Sequence, residues 1–156
     1  MHSKCEITRK FSAVVLGCGI LYFTVATFHW LATWRQIYMI EAPCIKVENY
    51  LFPIGLYTLG LELLGYGSVY FLYRGRNRIA WLMLLVITIV LGLPLDIYEL
   101  LLRLHYTPMR IEDLWRGVRA GWGPSISTLS SLVTGIFMIL AILIAGPCVF
   151  KNDCHD

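Results

Sequence analysis

Three carboxylates stand inside stretches otherwise built of hydrocarbon: Glu62 in LGLELLGYG, and Asp96 and Glu99 in LPLDIYELLLR. A charge at the centre of a lipid-embedded helix costs about 2.5–3.5 kcal/mol even on the permissive insertion scale, so such acids face a protein interior, are protonated, or both. Asp96, Glu99 and Arg103 are separated by three and four residues and share one helix face, with Glu99 and Arg103 at ion-pair spacing. His29 lies at a comparable depth near the end of the first apolar run. Together Glu62, Asp96, Glu99, Arg103 and His29 form a candidate intramembrane polar cluster. Two kinds of chemistry suit it. One is a proton or cation pathway, or a pocket for a polar ligand, with Glu62 as the deep member. The other is structural: a polar clamp that holds helix register, or a docking point for a charged helix of another protein. Pro94 adds to either, because it removes a helix donor and frees carbonyls one turn below.

The elements that must position these residues follow from composition. The chain has 156 residues, 58% hydrophobic and only 15% charged, against about 25% charged in ordinary soluble domains. The apolar residues come in blocks rather than on one helical stripe, which leaves no polar face for water. Four segments reach the roughly 20 residues that a helix needs to cross a bilayer: 11–34, 51–73, 79–102 and 125–149. They lack the alternation of a barrel strand, and lipid admits only helices or closed barrels. The reading is an all-α integral membrane four-helix bundle, one four-span domain over residues 1–156. In the third loop Ile111, Trp115, Val118 and Trp122 recur at helical spacing after Thr107-Pro108, with Glu112, Arg116 and Arg119 on the other side. That pattern predicts an amphipathic interfacial helix able to meet a partner. In the fourth span Ser127, Ser131 and Gly135 are four apart, a small-residue stripe for close helix packing. Ala13 and Gly17 make a lesser version in the first.

Lys and Arg set orientation in membrane proteins. Lys4, Arg9, Lys10, Arg74, Arg76, Arg78 and Lys151 fall on one side. Arg35, Lys46, Arg103, Arg110, Arg116 and Arg119 fall on the other. The totals nearly cancel, but three arginines packed into residues 74–78 favour both termini in the cytoplasm of a plasma-membrane protein. Cys44 is then the one outward-facing cysteine, so no loop disulfide is expected. Cys5, Cys148 and Cys154 lie at the inner face, as ordinary thiols or as lipidation sites. A formal net charge of +3 with no basic-aromatic array excludes a nucleic-acid partner. There is no C-x-x-C, H-E-x-x-H or G-x-S-x-G, so no catalytic residue, cofactor or metal ligand set is expected. His2 with Cys5 and Cys154 with His155 would make a metal site only by bringing the two tails together.

The layout, and the turn FLYRGRNRIAWLMLL leading into an apolar third helix, resembles small arthropod four-span membrane proteins of the Pasiflora and Fire exit type. That likeness implies a scaffold role in septate-type cell junctions and carries over no catalytic residue. The long amphipathic third loop and the intramembrane acids depart from that family. A second likeness is to short four-span proteins that accompany ion transporters. The expectation is therefore a non-enzymatic multi-pass membrane protein. It would work within the lipid bilayer by assembling with other membrane proteins or with copies of itself. The alternative is a small transporter or channel subunit that uses the intramembrane acids.

Overall fold

The computed structural model describes residues 2–41, 48–94 and 123–150, together with Ile97, Glu112, Trp115, Arg116 and Arg119. All regular structure among them is helical. Helix α1 runs His2–Glu41, α2 Glu48–Arg74 and α3 Arg78–Leu85; α3 continues as a π-helical segment over Val86–Gly92, and α4 runs Gly123–Phe150. Two stretches, Lys4–His29 and Leu129–Phe150, are long and apolar enough to cross a membrane.

The helices pack as a ring: α1 and α3 each lie between α2 and α4. The core is drawn from all of them, with Ala13, Leu16 and Ile20 of α1 against Leu72, Leu84, Met138 and Ile142. Close approach depends on two glycines of facing helices. A Cβ at Gly19 would lie 2.5 Å from Met138 Cγ, and one at Gly65 would lie 2.9 Å from Ile20 Cδ1. The outward faces are apolar: Phe11, Val25, Phe28, Leu63, Ile79 and Phe137 are each more than half exposed. Arg9, Ser12, Glu62, Ser68 and Thr88 are buried instead. Soluble domains also expose many apolar atoms, while contiguous apolar faces mark surfaces that meet protein or membrane.

The first helix is longer than the apolar run from 11 to 34, because the basic N-terminal arm is itself helical and docked. Its Arg9 is buried and spends one nitrogen, Nη1, on carbonyls at the end of α2 and in the turn after it: Leu72 O, Tyr73 O at 2.6 Å and Gly75 O at 3.0 Å. The last carbonyls of a helix have no partner within it and carry the negative end of its dipole. Arg9 answers both needs from a neighbouring helix. Lys10 pairs with Glu6 at 2.7 Å and lies 5.8 Å from the centroid of the Tyr73 ring.

The turn after α2 is short. Gly75 N donates to Phe71 O, and the Asn77 side chain caps α3 by accepting from Ala80 N at 3.0 Å. Trp81 then ties α3 to α4, its Nε1 donating to Ile142 O at 2.8 Å while its ring meets Phe150 edge-on. Gly146 makes room for that indole, since a Cβ there would lie 3.2 Å from Trp81 Cζ2. Lastly, Cys5 of α1 is disulfide-bonded to Cys148 of α4, with Cα atoms 5.3 Å apart, inside the range that a disulfide spans. Every one of these ties sits at the end of the ring where α1 and α3 start and α2 and α4 finish.

Candidate functional site

Halfway along the ring the packing turns polar around Glu62. On α2, Glu62 and Tyr66 are four apart; on α1, Thr24 and Thr27 are three apart, so each pair occupies one face of its helix. Thr27 Oγ1 donates to Glu62 Oε1 at 2.8 Å, and Thr24 Oγ1 lies 3.2 Å from the Tyr66 hydroxyl. Thr24 also donates back to Ile20 O at 2.9 Å within its own helix. Glu62 is 7% exposed, and its second oxygen, Oε2, is buried with no hydrogen-bond partner among the described residues. Thr88 is likewise buried, its Oγ1 with no partner among the described residues.

Thr88 belongs to the π segment that precedes Pro94. A proline at 94 denies its N–H to the carbonyl of residue 90 and crowds it. The helix widens there, so that Leu93 N reaches Thr88 O five residues back. Such wide turns are common at functional positions in helices. A further polar contact joins α1 to α4, where the Tyr22 hydroxyl bonds Ser130 Oγ and lies 3.5 Å from Ser131 Oγ.

Of the five residues of the expected polar cluster, Glu62 is placed inward and His29 is exposed. His29 is two residues beyond Thr27, on a different side of α1, so the Glu62 carboxyl is held by Thr27. Asp96, Glu99 and Arg103 lie outside the described residues. Tyr22, Thr24, Thr27 and Tyr66 are the additions. Their signal in the sequence was polar side chains at helical spacing inside apolar runs.

In the expected small-residue stripe, Ser131 and Gly135 are half-buried, and the side chain of Ser127 lies outside the described residues. The tightest packing of α4 falls a turn or more later, on Met138, Ala141, Ile142, Ala145 and Val149. The cysteine reading needs a correction. Cys5 and Cys148 are joined to each other, and a sulfur in a disulfide carries no acyl chain. The sequence places both near one face, and packing of α1 on α4 brings these residues, 143 apart, into register. Cys154 lies outside the described residues.

In the third loop, Glu112, Trp115, Arg116 and Arg119 surround a groove of about 430 Å³. These positions are i, i+3, i+4 and i+7 of one helix face. Trp115 therefore sits at the border of the expected apolar stripe and shares a surface with the charged residues. Ile111, Val118 and Trp122 lie outside the described residues. No family of known proteins, no curated protein and no solved structure matches the chain.

Proposed function

We propose that this is a non-enzymatic, four-span membrane protein that works by assembling with other membrane proteins, as a junction scaffold of the septate type would. The observation that carries the assembly reading is the third-loop groove. Trp115 is 53% exposed and stands beside Arg116, Arg119 and Glu112. Tryptophan and arginine are the residues most enriched at binding hot spots. An indole left in water beside guanidinium groups gains both area and cation–π contact when a partner covers it.

The polar layer fits the same reading. Glu62 is turned toward α1 and clamped by Thr27, which ties two helices of the ring at one register. It is the rim of the bundle, and not this carboxyl, that meets a partner.

Replacing Trp115 and Trp122 by serine tests the assembly. Proteins that co-purify with the wild-type chain from native membranes should be recovered at less than a tenth of their former yield, with helix content and membrane insertion unchanged. Undiminished recovery would reduce the third loop to a connector.

In the proposed orientation both tails and the 74–78 turn are cytosolic, in the plasma membrane. The Cys5–Cys148 pair then faces a reducing compartment and exchanges with the thiol pool. In a cysteine-free background, a membrane-impermeant maleimide added to intact cells should label Asn49→Cys and miss Asn77→Cys. In the native chain, thiols trapped by alkylation at lysis should include Cys5 and Cys148. Labelling of Asn77→Cys together with a fully oxidised pair would turn the protein over.

A further inference from the structure

We propose that the Cys5–Cys148 disulfide is a redox latch, opened by a low-molecular-weight thiol, that keeps the first turns of α1 docked and Arg9 on the end of α2. Cys5 and Arg9 are four residues apart and share one face of α1. They reach different neighbours. Cys5 is bonded to Cys148 of α4, while Arg9 donates to Leu72 O, Tyr73 O and Gly75 O. Two consecutive turns of α1 are thus pinned to two other helices.

Before Arg9 the arm has little else to hold it. Lys4, Glu6 and Ile7 are exposed, and Cys5 and Thr8 are half-buried. The buried side of α1 begins at Arg9 and continues through Ser12, Ala13 and Leu16. Polar contacts of residues 4–8 stay within α1: Thr8 donates to Lys4 O, and Glu6 pairs with Lys10. Among the described residues, the disulfide is therefore what ties this stretch to another helix. Its far anchor lies at a weakened turn, because Pro147, just before Cys148, denies an N–H to the carbonyl four residues back. Segments with few buried contacts open locally before the rest of a fold does.

The two sulfurs differ in access, Cys5 being half-buried and Cys148 buried. An incoming thiol gives up its proton and attacks the Cys5 sulfur as a thiolate. The protein S–S bond breaks, and the Cys148 sulfur leaves with the electron pair and takes up a proton. A second thiol attacks the mixed disulfide on Cys5 in the same way and frees the Cys5 thiol. Two small thiols are oxidised to one disulfide, and the protein disulfide is reduced to two thiols. In the reduced chain the arm alternates between docked and lifted positions, and each lift takes Arg9 from the carbonyls of α2. A cytosolic supply of thiol rests on the orientation proposed above, whereas the coupling of bond to cap is independent of it.

The test is hydrogen–deuterium exchange on the full chain purified in neutral detergent, with C18S/C44S/C154S leaving the pair as its only cysteines. Millimolar reduced glutathione should open the bond in the folded protein, and glutathione disulfide should restore it. On opening, backbone exchange over residues 2–10 should rise by about tenfold or more, while that over residues 12–20 changes by less than about twofold. Thermal unfolding reads the cap: Arg9→Ala should lower the Tm of the oxidised chain and cost less than about half as much in the reduced one, since coupled ties are not additive. Adding C5S/C148S should reproduce the reduced chain with or without glutathione; if that variant does not fold, the oxidised and reduced parent carry the comparison. A bond opened only in denaturant, unchanged exchange over residues 2–10, or an equal rise over residues 12–20 would overturn the latch. So would an equal Arg9→Ala cost in both states, or a folded C5S/C148S chain whose arm stays protected. Labelling of intact cells and partner recovery through Trp115 are read separately, so failure here leaves orientation and assembly to their own tests.

Discussion

Arg9→Ala should destabilise the detergent-solubilised protein by about 3 kcal/mol, the scale of losing hydrogen bonds to a charged donor and leaving buried acceptors unmet. One nitrogen of Arg9 serves Leu72 O, Tyr73 O and Gly75 O, and the side chain is 6% exposed. Alanine removes the donor, the positive charge at the negative end of α2, and the packing of the aliphatic stem. Water can reach some of these carbonyls at the end of the ring, which keeps the cost from rising further. Arg9→Lys should recover part of the loss, since an ammonium supplies the charge without the planar fork. Thermal unfolding of the three forms in one detergent gives the ranking wild type, Lys, Ala. Equal stability of wild type and alanine would mean that the N-terminal arm is not docked on α2.

Glu62 separates the assembly reading from a transporter. Glutamine keeps the carbonyl oxygen that accepts from Thr27 and adds an N–H donor where Oε2 now has no partner among the described residues, but it cannot ionise or exchange a proton. If the carboxyl is a clamp between α1 and α2, Glu62→Gln should leave surface expression and complex assembly near wild-type levels. Glu62→Leu should lower both, because the Thr27 hydroxyl then loses its partner inside the ring at about 1–3 kcal/mol. Part of that cost is recoverable, since a threonine hydroxyl can turn back to a carbonyl of its own helix, as Thr24 already does at Ile20 O. Measuring assembly and ion flux on the same variants gives the answer. Normal assembly of the glutamine variant together with lost flux would promote the transporter, with Glu62 Oε2 and Thr88 Oγ1 as its inner groups.

The all-helical class was legible in the sequence alone. It follows from local facts: apolar runs of bilayer length, no barrel alternation, and a backbone that must satisfy itself wherever water is absent. The break between the second and third helices at RGRN was equally local, since Gly75 and Asn77 end one helix and cap the next. The burial of Glu62 was one of the outcomes the sequence left open, since a carboxyl in a hydrocarbon run turns inward, is protonated, or both. What holds that carboxyl was not local. Thr27 and Tyr66 are unremarkable polar residues until α1 and α2 are laid side by side. Arg9 reads in the sequence like Lys4 and Lys10, a flanking charge; only the end-on position of α2 makes it a cap. Cys5 and Cys148 were placed at the same face but as thiols or lipidation sites, because a chain read in one dimension cannot show which residues 143 apart come into register. The widening before Pro94 was partly foreseeable from the missing donor, but its extent over Val86–Gly92 was not. Periodicity and solvation are properties of each segment by itself, whereas caps, clamps and cross-links are properties of pairs, and tertiary packing alone chooses the pairs.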